Sequence, residues 1–458
     1  TEPPVRPLAA FFQDGLISPA FPLIHAESTM RISVSSHAIH VGIVSLAFTM
    51  SSYGAEQWDR FRGPNGSAVS DAGHLPEKWD ESTNLRWKTA LPGPGSSSAI
   101  IVGDRVFVTC YSGYGDSSEA TDVKKLQRHL ICASMVDGHI IWDTITASGT
   151  SEDRYSGFLR DHGYATSTPA SDGRRIYVFY GKSGVLAFDM AGQEVWKTDV
   201  GNGSAKNNWG SGSSPVLFGD LVIVNAAAES KSVIGLDKKT GKQVWRADAP
   251  NIYGSWSTPV LVDVPGGKTE LVLSAPYELW GFDPANGNFL WYADGIADDT
   301  ICGSVVARDG IVYAVGGRGG SAVAVRAGGR DDATQKQTVW KKQLSSYVPS
   351  PVLYGDRIFS VNERGVLGCL AAKDGESLFQ KRLPDAGGIY ASPVVADSKL
   401  FIVTRRNGTI VVSTSGSGEV LSHNKFNDDT DFNASPAISE GTILLRSNKF
   451  LYCIGAKN

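Results

Sequence analysis

A unit of 42 to 46 residues repeats along most of this chain, from Thr168 onward. Each unit begins at a serine or threonine that is usually followed by proline, and several end at a tryptophan four residues after a glycine. The eight starts are Ser98, Thr168, Ser214, Thr258, Ser304, Ser350, Ser392 and Ser435. The glycine–tryptophan pairs are Gly138/Trp142, Gly192/Trp196, Gly241/Trp245 and Gly287/Trp291. A fixed period of this length, built from short strands, predicts a β-propeller or a similar array.

The clearest unit, residues 213–249, reads as four antiparallel strands. Pro215 is placed at the entry of the first strand, where proline does not break the ladder. Gly219 and Asp220 form a tight turn before the β-branched second strand, and Thr240-Gly241 turns into a fourth strand that carries Trp245. One such sheet is marginal by itself, so the unit has to be repeated.

Some units depart from this pattern. The fifth keeps Trp340 without the glycine, the sixth has Phe379 in the tryptophan's place, and the seventh has Ser422. The first interval is longer, because it holds an insertion at about residues 111–128 that we expect to project from one face as a lid or contact arm.

The eighth unit, residues 435–455, supplies only three strands. The missing fourth strand is available in residues 84–91, which carry Trp87 where the other units carry theirs. This pairing leaves no open sheet edge. The sequence therefore predicts an all-β protein: an eight-bladed β-propeller of four-stranded antiparallel blades over residues 84–458, closed by an N-terminal strand.

Two segments precede the propeller. Residues 56–83 are expected to wrap the ring, with Trp58, Phe61 and Trp79 packed against its outside. Residues 30–55 read as a secretory signal, with a basic start and an apolar run of 13 residues that is too short to span a bilayer. A buried helix is the alternative for that run. Residues 1–29 are then an upstream extension, with translation starting at Met30, and the protein is expected in the periplasm or cell envelope without a membrane span.

Charge and motifs exclude several functions. A net charge of −4 and a pI of about 6.1 provide no basic field for nucleic acid. Asp429, Asp431, Asn433 and Glu440 mimic a calcium loop, but Ala434 stands where that loop needs glycine, so no metal site is predicted. His162 is interpreted as a solvated loop histidine.

Three of the five cysteines, Cys132, Cys369 and Cys453, occupy one repeat position, where other units have alanine or glycine. The position therefore favours a small buried side chain, and these cysteines are expected to be free thiols. Cys110 lies on a strand next to that of Cys132, and a disulfide between these two is the alternative.

The pattern of residues 235–245, small-x-Asp-x-x-Thr-Gly-x-x-x-Trp, resembles the quinoprotein-type repeat of pyrroloquinoline-quinone-like and BamB-like β-propellers. The resemblance covers residues 84–455, and FRGPNG at 61–66 looks like the lead-in of secreted members. It implies that each repeat tryptophan docks between neighbouring blades. It also implies two functions: an exported, non-catalytic scaffold that binds a protein or ligand, or a pyrroloquinoline-quinone-dependent alcohol or sugar dehydrogenase.

The resemblance implies that the larger dehydrogenases of this family carry a pair of adjacent cysteines beside the cofactor and a Glu/Asn/Asp set around calcium. This chain has no adjacent cysteines. Asp298-Asp299 and Asn207-Asn208 lie in suitable loops, but acids and amides are common in loops and do not identify a calcium site. The scaffold is therefore our first expectation, with no catalytic residue and no cofactor. Pyrroloquinoline quinone with calcium stays as the alternative, and a sugar or peptide in the axial channel is a third hypothesis.

Short, uniform turns are predicted on one face of the ring and variable loops on the other. Aromatic and arginine side chains, which are enriched at binding surfaces, fall on the variable face. The candidate binding residues are Trp209, Trp256, Tyr347, Tyr390, Arg318, Arg364 and Arg405. Lys182, Arg406 and Phe432 fall on the same face. The alternative is that these residues only cap the axial channel or lie on turns, without a binding role.

Overall fold

The computed structural model describes residues 58–115, 121–149, 152–156 and 159–456. The proposed signal and the upstream extension lie outside the described residues. Eight antiparallel sheets, which we number as blades one to eight from Ser98 onward, make up the described part of the chain. The predicted eight-bladed propeller is confirmed.

The strands of each blade follow the sequence order. Blade one contains Ile100–Val102, Arg105–Ser112, Gln127–Ser134 and Ile140–Ala147; blade two contains Ala170–Ser171, Arg175–Phe179, Val185–Asp189 and Glu194–Thr198. Blade three contains Val216–Phe218, Leu221–Ala226, Ser232–Asp237 and Gln243–Asp248; blade four contains Val260–Val264, Lys268–Ala275, Glu278–Phe282 and Phe289–Asp294. Blade five contains Val306–Arg308, Ile311–Gly316, Ser321–Arg326 and Thr338–Lys342; blade six contains Val352–Tyr354, Arg357–Val361, Val366–Ala371 and Ser377–Arg382.

Blade seven contains Val394–Ala396, Lys399–Val403, Thr409–Ser413 and Val420–Asn424; blade eight contains Ala437–Ser439, Thr442–Arg446, Phe450–Gly455 and Leu85–Ala90. Two short strands add in parallel: Val69–Ser70 to blade seven and Asp331–Asp332 to blade four. Helical turns in the described ranges are short: Arg160–Gly163, Ala227–Ser230 and Thr334–Gln337, with 3-10 turns at Pro64–Gly66, Val123–Lys125, Gly181–Ser183, Lys206–Asn208 and Pro250–Ile252.

The N-terminal strand closes the ring. Leu85–Ala90 pairs antiparallel with Phe450–Gly455, which places Trp87 opposite Cys453. Blade eight thereby gains the same four strands as the other blades, and the edge of its third strand is covered. The predicted closure is confirmed.

The eight start residues are joined by a closed ring of hydrogen bonds. The hydroxyl of each start residue accepts a hydrogen bond from the backbone N–H of the start residue one blade earlier, and Ser98 accepts from Ser435 to complete the circle. The donor–acceptor distances are 2.9 to 3.1 Å. This hydroxyl ring explains why all eight units begin with serine or threonine: without the hydroxyl, a buried N–H loses its acceptor.

Replacing one member of the hydroxyl ring should destabilise the fold. In Ser214→Ala the N–H of Thr168 loses its acceptor at 3.0 Å, which should cost about 1–3 kcal/mol. Ser214→Thr keeps a hydroxyl, as Thr168 and Thr258 do, and should cost less. Ser213→Ala is the matched control, because the buried Ser213 hydroxyl has no hydrogen-bond partner. Urea denaturation measures all three; equal losses for Ser214→Ala and Ser213→Ala would contradict the ring's role.

The repeat tryptophans dock between blades. Five indole N–H groups donate to a carbonyl of the next blade at 2.9 to 3.2 Å: Trp87 to Met135, Trp142 to Met190, Trp196 to Lys238, Trp245 to Pro284 and Trp340 to Ala372. The indole covers the glycine of that blade, so that a Cβ at Gly287 would lie 2.4 Å from the Trp245 ring. The glycine of each pair therefore makes room for the tryptophan one blade earlier, as well as taking a left-handed turn conformation (φ +76° at Gly287).

The exceptions in the pattern have compensating contacts. Trp291 donates to Glu270 of its own blade at 2.7 Å, because Asp331–Asp332 and Thr334–Gln337 replace the usual turn in blade five. The Phe379 ring lies over Gly418, as tryptophan does elsewhere. At Ser422 the hydroxyl donates to the Glu77 carbonyl of the N-terminal segment instead.

The N-terminal segment corrects one prediction. Trp58 and Phe61 do not pack against the outside of the ring, because residues 58–68 cross its central opening. The carbonyl of Trp58 accepts from Ile101 of blade one, Arg62 donates to the Pro351 carbonyl of blade six, and Asn65 donates to the Leu261 carbonyl of blade four at 2.7 Å. An eight-bladed ring leaves a space on its axis, and this segment fills one end of it. Trp79 does lie outside, with its backbone N–H donating to the Asn424 side-chain oxygen of blade seven at 3.0 Å.

All five cysteines are free, so the alternative of a Cys110–Cys132 disulfide is wrong. The register places Cys132 opposite Phe107 and Cys110 opposite His129, three residues further along the strand. Cys132, Cys369 and Cys453 are buried, each opposite the large outer side chain of its own blade: Trp142, Phe379 and Trp87. Burial raises the pKa of these three thiols to about 12, which keeps them protonated and unreactive.

Candidate binding face and axial cavity

The connections between blades, and those between second and third strands, share one side of the ring, which we call the loop face. Part of the insertion that lengthens the interval from Ser98 to Thr168 lies on this face. Tyr111, Tyr114 and Leu126, at the described ends of the predicted insertion, are buried with Tyr155 and Tyr164 from the connection between blades one and two. These ends therefore pack onto the ring, and residues 116–120 between them lie outside the described ranges.

A cavity of about 290 Å³ lies on the axis below the loop face. Four members of the hydroxyl ring line it: Ser98, Ser350, Ser392 and Ser435. Phe61, from the segment that crosses the central opening, lines it as well and closes the end away from the loops. The cavity is thus a blind pocket that opens toward the variable loops.

Three predicted aromatic residues form one wall of this axial cavity. The ring centroids of Trp209 and Trp256 are 5.2 Å apart, and Tyr347 lies edge-on to Trp209 at 6.3 Å. The indole N–H of Trp256 donates to the Gly210 carbonyl at 2.7 Å, which fixes its orientation. Trp256 and Tyr347 come two and three residues before a start residue, and Trp209 five before, so blade geometry brings them together at the axis.

Arg318 lies at the mouth of the axial cavity, on the turn between the second and third strands of blade five. Its guanidinium carbon is 4.6 Å from the Tyr347 ring centroid and 5.9 Å from that of Trp209, within range of cation–π attraction. It also donates to the Tyr347 hydroxyl at 2.7 Å. Asp298 holds the turn by accepting the backbone N–H of Arg318 at 2.8 Å.

Tyr390 and His162 line the opposite side, and here a second prediction is corrected. His162 is not a solvated loop histidine: it lines the axial cavity, with its ring centroid 5.3 Å from that of Tyr390. Burial, and then the nearby Arg405, lower the pKa of His162 to about 4, so it is neutral at pH 7. Arg405 lies 4.9 Å from the Tyr390 centroid and pairs with Asp431 at 2.7 Å.

The other candidates lie elsewhere. Arg364 stands apart from the axial cavity with 80% of its side chain exposed. Arg406 pairs with Asp431 at 2.6 Å, Lys182 pairs with Asp153 at 2.9 Å, and Phe432 is buried near Tyr452. The structure therefore brings five of the seven predicted residues together around the cavity, with Arg405 directly behind Tyr390.

Asn433 lines the axial cavity and was missed as a binding residue. It is only 7% exposed, yet both its amide nitrogen and its amide oxygen lack a hydrogen-bond partner. In the sequence it stood out only within the calcium-like pattern that begins at Asp429. Its place two residues before Ser435, where other units carry aromatic residues such as Trp256, was the signal that could have identified it.

A second feature missed in the sequence is an exposed patch that we call the blade 3–5 patch: Lys206, Tyr253, Tyr277, Asp299 and Arg318. Tyr253 and Tyr277 are 36% and 47% exposed. The residues beside them lie close to each other: a Cβ at Gly254 would lie 2.5 Å from the Asp299 carbonyl oxygen and 3.5 Å from Pro276. Lys206 pairs with Asp299 at 2.5 Å. Tyr277 has a left-handed backbone (φ +66°), unusual for tyrosine, and its N–H donates to Asp298.

The side chains around the axial cavity do not fit a quinone held by calcium. Calcium takes carboxylate and carbonyl oxygens as ligands, and the described residues that line the cavity include no aspartate or glutamate. Asp298 and Asp299, the acids considered in the sequence, are engaged with Arg318, Thr300 and Lys206. Among the described residues, no group of three or more His, Cys, Asp and Glu side chains could hold a metal ion.

A buried polar cluster lies beside the axial cavity, under the loops of blades two and three. Arg128 binds Glu152 through two hydrogen bonds of 2.9 Å, and both side chains are nearly inaccessible. Glu229, 4% exposed, accepts a hydrogen bond from the Ser211 hydroxyl, while its second oxygen has no partner. Burial raises the pKa of Glu229 from 4.5 to about 7.

This carboxyl should make stability depend on pH. The folded state holds the Glu229 proton more tightly than the unfolded state, so stability should fall as pH rises from about 4.5 to about 7. Glu229→Gln keeps an acceptor for Ser211 and removes the charge. We expect the variant to match the wild type at pH 4.5 and to be more stable at pH 8 by up to a few kcal/mol. Urea denaturation at both pH values decides it, and an equal difference at both would contradict the assignment.

The fold defines the class of protein first: a closed eight-bladed propeller whose blades dock through repeat tryptophans, with a cavity on its axis. A family model described as "Outer membrane protein assembly factor BamB" matches residues 126–381. Since that range is more than half of the chain, the chain belongs to this family.

One curated relative and two solved structures show how far the similarity extends. Outer membrane protein assembly factor BamB of Burkholderia pseudomallei (strain K96243) is 26% identical over 239 residues, which are 50% of this chain and 58% of the relative. The chain thus matches little more than half of that relative's length. The crystal structure of BamB from Moraxella catarrhalis has a TM-score of 0.56 at 15% identity, covering 80% of this chain and 98% of that one. The computationally designed Ika8 protein has a TM-score of 0.54 at 10% identity, covering 81% and 100%. At these identities, the structural matches show the fold alone.

Within the described ranges, none of the helices has the length and apolar character needed to cross a bilayer.

Proposed function

We propose that this protein is an exported, non-catalytic scaffold that binds a protein partner in the cell envelope, in outer membrane protein assembly. The family match over residues 126–381 carries the proposal. The proposal includes a secretory signal at residues 30–55, a segment at 56–83 that precedes the propeller, and a location in the periplasm or envelope. Mass spectrometry of the protein from the envelope fraction should find an N-terminus near Glu56; an N-terminus that retains residues 38–50 would contradict export.

The blade 3–5 patch is the surface we assign to the partner. Two exposed tyrosines lie beside the cation–π pair of Arg318 and Tyr347, and aromatic and arginine side chains are enriched at protein interfaces. Short contacts anchor the loops beneath them, including the Lys206–Asp299 pair and the bond from Ile301 N–H to the Gly254 carbonyl. A surface that is already rigid loses little conformational entropy on binding.

Site-specific photo-crosslinking tests this assignment. A photoreactive amino acid at Tyr253 or Tyr277 should crosslink to one discrete envelope protein in cells. The same group at Lys239, which is exposed on the turn on the opposite face, should not. Tyr277→Asn suits the left-handed backbone and should weaken capture at least tenfold without loss of stability. Crosslinks from Lys239 alone would show that the working face is the other one.

The arginines of the loop face should act at the rim of the interface. The Arg364 side chain is largely exposed and its guanidinium pairs with Glu363 at 3.8 Å, so Arg364→Ala should change mainly the association rate and its salt dependence. Arg318 lies over two aromatic rings, and Arg318→Ala should also raise the dissociation rate. Surface plasmon resonance against the crosslinked partner separates the two rates.

A further inference from the structure

We propose that the axial cavity binds a single acidic sugar, a sugar ring that carries one carboxylate. This binding site shares Arg318 with the blade 3–5 patch, but its other residues line the axial cavity, and the proposal does not depend on the scaffold function. It follows from the shape of the cavity, its aromatic wall, an unpaired buried amide and the balance of charge.

The shape selects a small ligand. A volume of about 290 Å³ is at the lower end of small-molecule sites. Phe61 closes the far end, and residues 58–68 cross the axis there, so an extended chain cannot pass through the ring. A peptide would have to enter by one end only, whereas a compact ring fits a blind pocket.

The aromatic wall selects a ligand with an apolar face. Trp209, Trp256 and Tyr347 are partly exposed and line the same side of the axial cavity. The face of an aromatic ring is electron-rich, so it attracts the weakly positive C–H groups on one side of a sugar ring. The Trp256–Gly210 bond holds one of these indoles in place without a ligand.

The polar side selects hydroxyl groups. Asn433 has an unpaired donor and an unpaired acceptor, and a buried amide in that state is costly. Two adjacent hydroxyl groups of a sugar can donate to one amide atom and accept from the other. Ser98, Ser350, Ser392 and Ser435 accept the N–H bonds of the hydroxyl ring, and each hydroxyl has its own proton to donate to a ligand oxygen.

The charge selects an acid over an amine. The described lining residues contain no carboxylate that would hold an amine, and Arg318 stands at the mouth. Arg318 gives one donor to Tyr347 and carries five in all, so it can also bind a carboxylate. A ligand with its ring against the wall and its carboxylate at the mouth would meet all of these groups at once.

Titration calorimetry and tryptophan fluorescence with D-glucuronate, D-glucose, D-glucosamine and triglycine test the proposal. Glucuronate should bind saturably and about tenfold more tightly than glucose, with no binding of glucosamine or triglycine. Arg318→Gln should abolish the preference for the acid, whereas Arg364→Gln, an arginine of the same face outside the cavity, should keep it.

Asn433→Leu separates a binding role from a structural one. It should weaken glucuronate binding at least tenfold and leave the melting temperature equal or higher, since it removes an unpaired buried amide. The proposal is overturned if no sugar binds, if glucose or glucosamine binds as tightly as glucuronate, if triglycine binds instead, or if stable Asn433→Leu protein binds normally. Crosslinking at Tyr277 is scored separately, so failure here leaves the scaffold proposal standing.

Discussion

A chain that begins at Pro92 is expected not to fold. Such a chain lacks Leu85–Ala90, so the third strand of blade eight, Phe450–Gly455, becomes an open edge. It also loses Trp87, which is 7% exposed and joins blade eight to blade one through the Met135 carbonyl. Removing a buried tryptophan alone costs about 3–5 kcal/mol, which is comparable with the lower end of total stabilities.

The matched control is a chain that begins at Asn84. It loses the crossing segment, including the buried Trp58 and Arg62, but keeps the closing strand. We expect this chain to be less stable than the full chain but cooperatively folded. Circular dichroism, calorimetry and size-exclusion chromatography compare the two. If the chain that begins at Pro92 had the same melting temperature as the one that begins at Asn84, closure by this strand would contribute nothing to stability.

Trp245→Ala is expected to have the second largest effect, with a loss of about 3–5 kcal/mol. The indole is 7% exposed, covers Gly287 of the next blade and donates to the Pro284 carbonyl at 3.2 Å. The substitution therefore opens a cavity between blades three and four. Trp245→Phe should cost less, because Phe379 occupies the same position between blades six and seven.

Trp209→Ala is the control for Trp245→Ala. Trp209 is as large but partly exposed at the axial cavity, so its removal should cost little stability. Guanidinium denaturation gives the free energies of unfolding. Equal losses for the two alanine variants would contradict the view that one tryptophan holds the blades together while the other serves a ligand.

Repetition made much of this architecture predictable. The strand order, the number of blades and the closure by residues 84–91 followed from one pattern, and the resemblance to the quinoprotein-type repeat implied the docking of the tryptophans. In a propeller each blade contacts mainly its neighbours, so a local repeat in sequence specifies a local contact in space. The small residue at the cysteine position shows the same logic: a Cβ at Gly235 would lie 2.3 Å from Trp245, and in blade seven, where Ser422 replaces tryptophan, the position holds the larger Val411.

The sequence by itself therefore determined the ring, because its information is repeated eight times. Only the tertiary structure decided what fills the ring's centre. Trp58 and Phe61 lie across the axis, His162 and Asn433 line the axial cavity, and Tyr253 and Tyr277 are exposed on the loop face. Asn433 holds a repeat position, two residues before Ser435, but the other residues lie outside the repeat pattern. Their positions depend on the space that remains once eight blades have closed, and that space is set by the number of blades and the length of the loops.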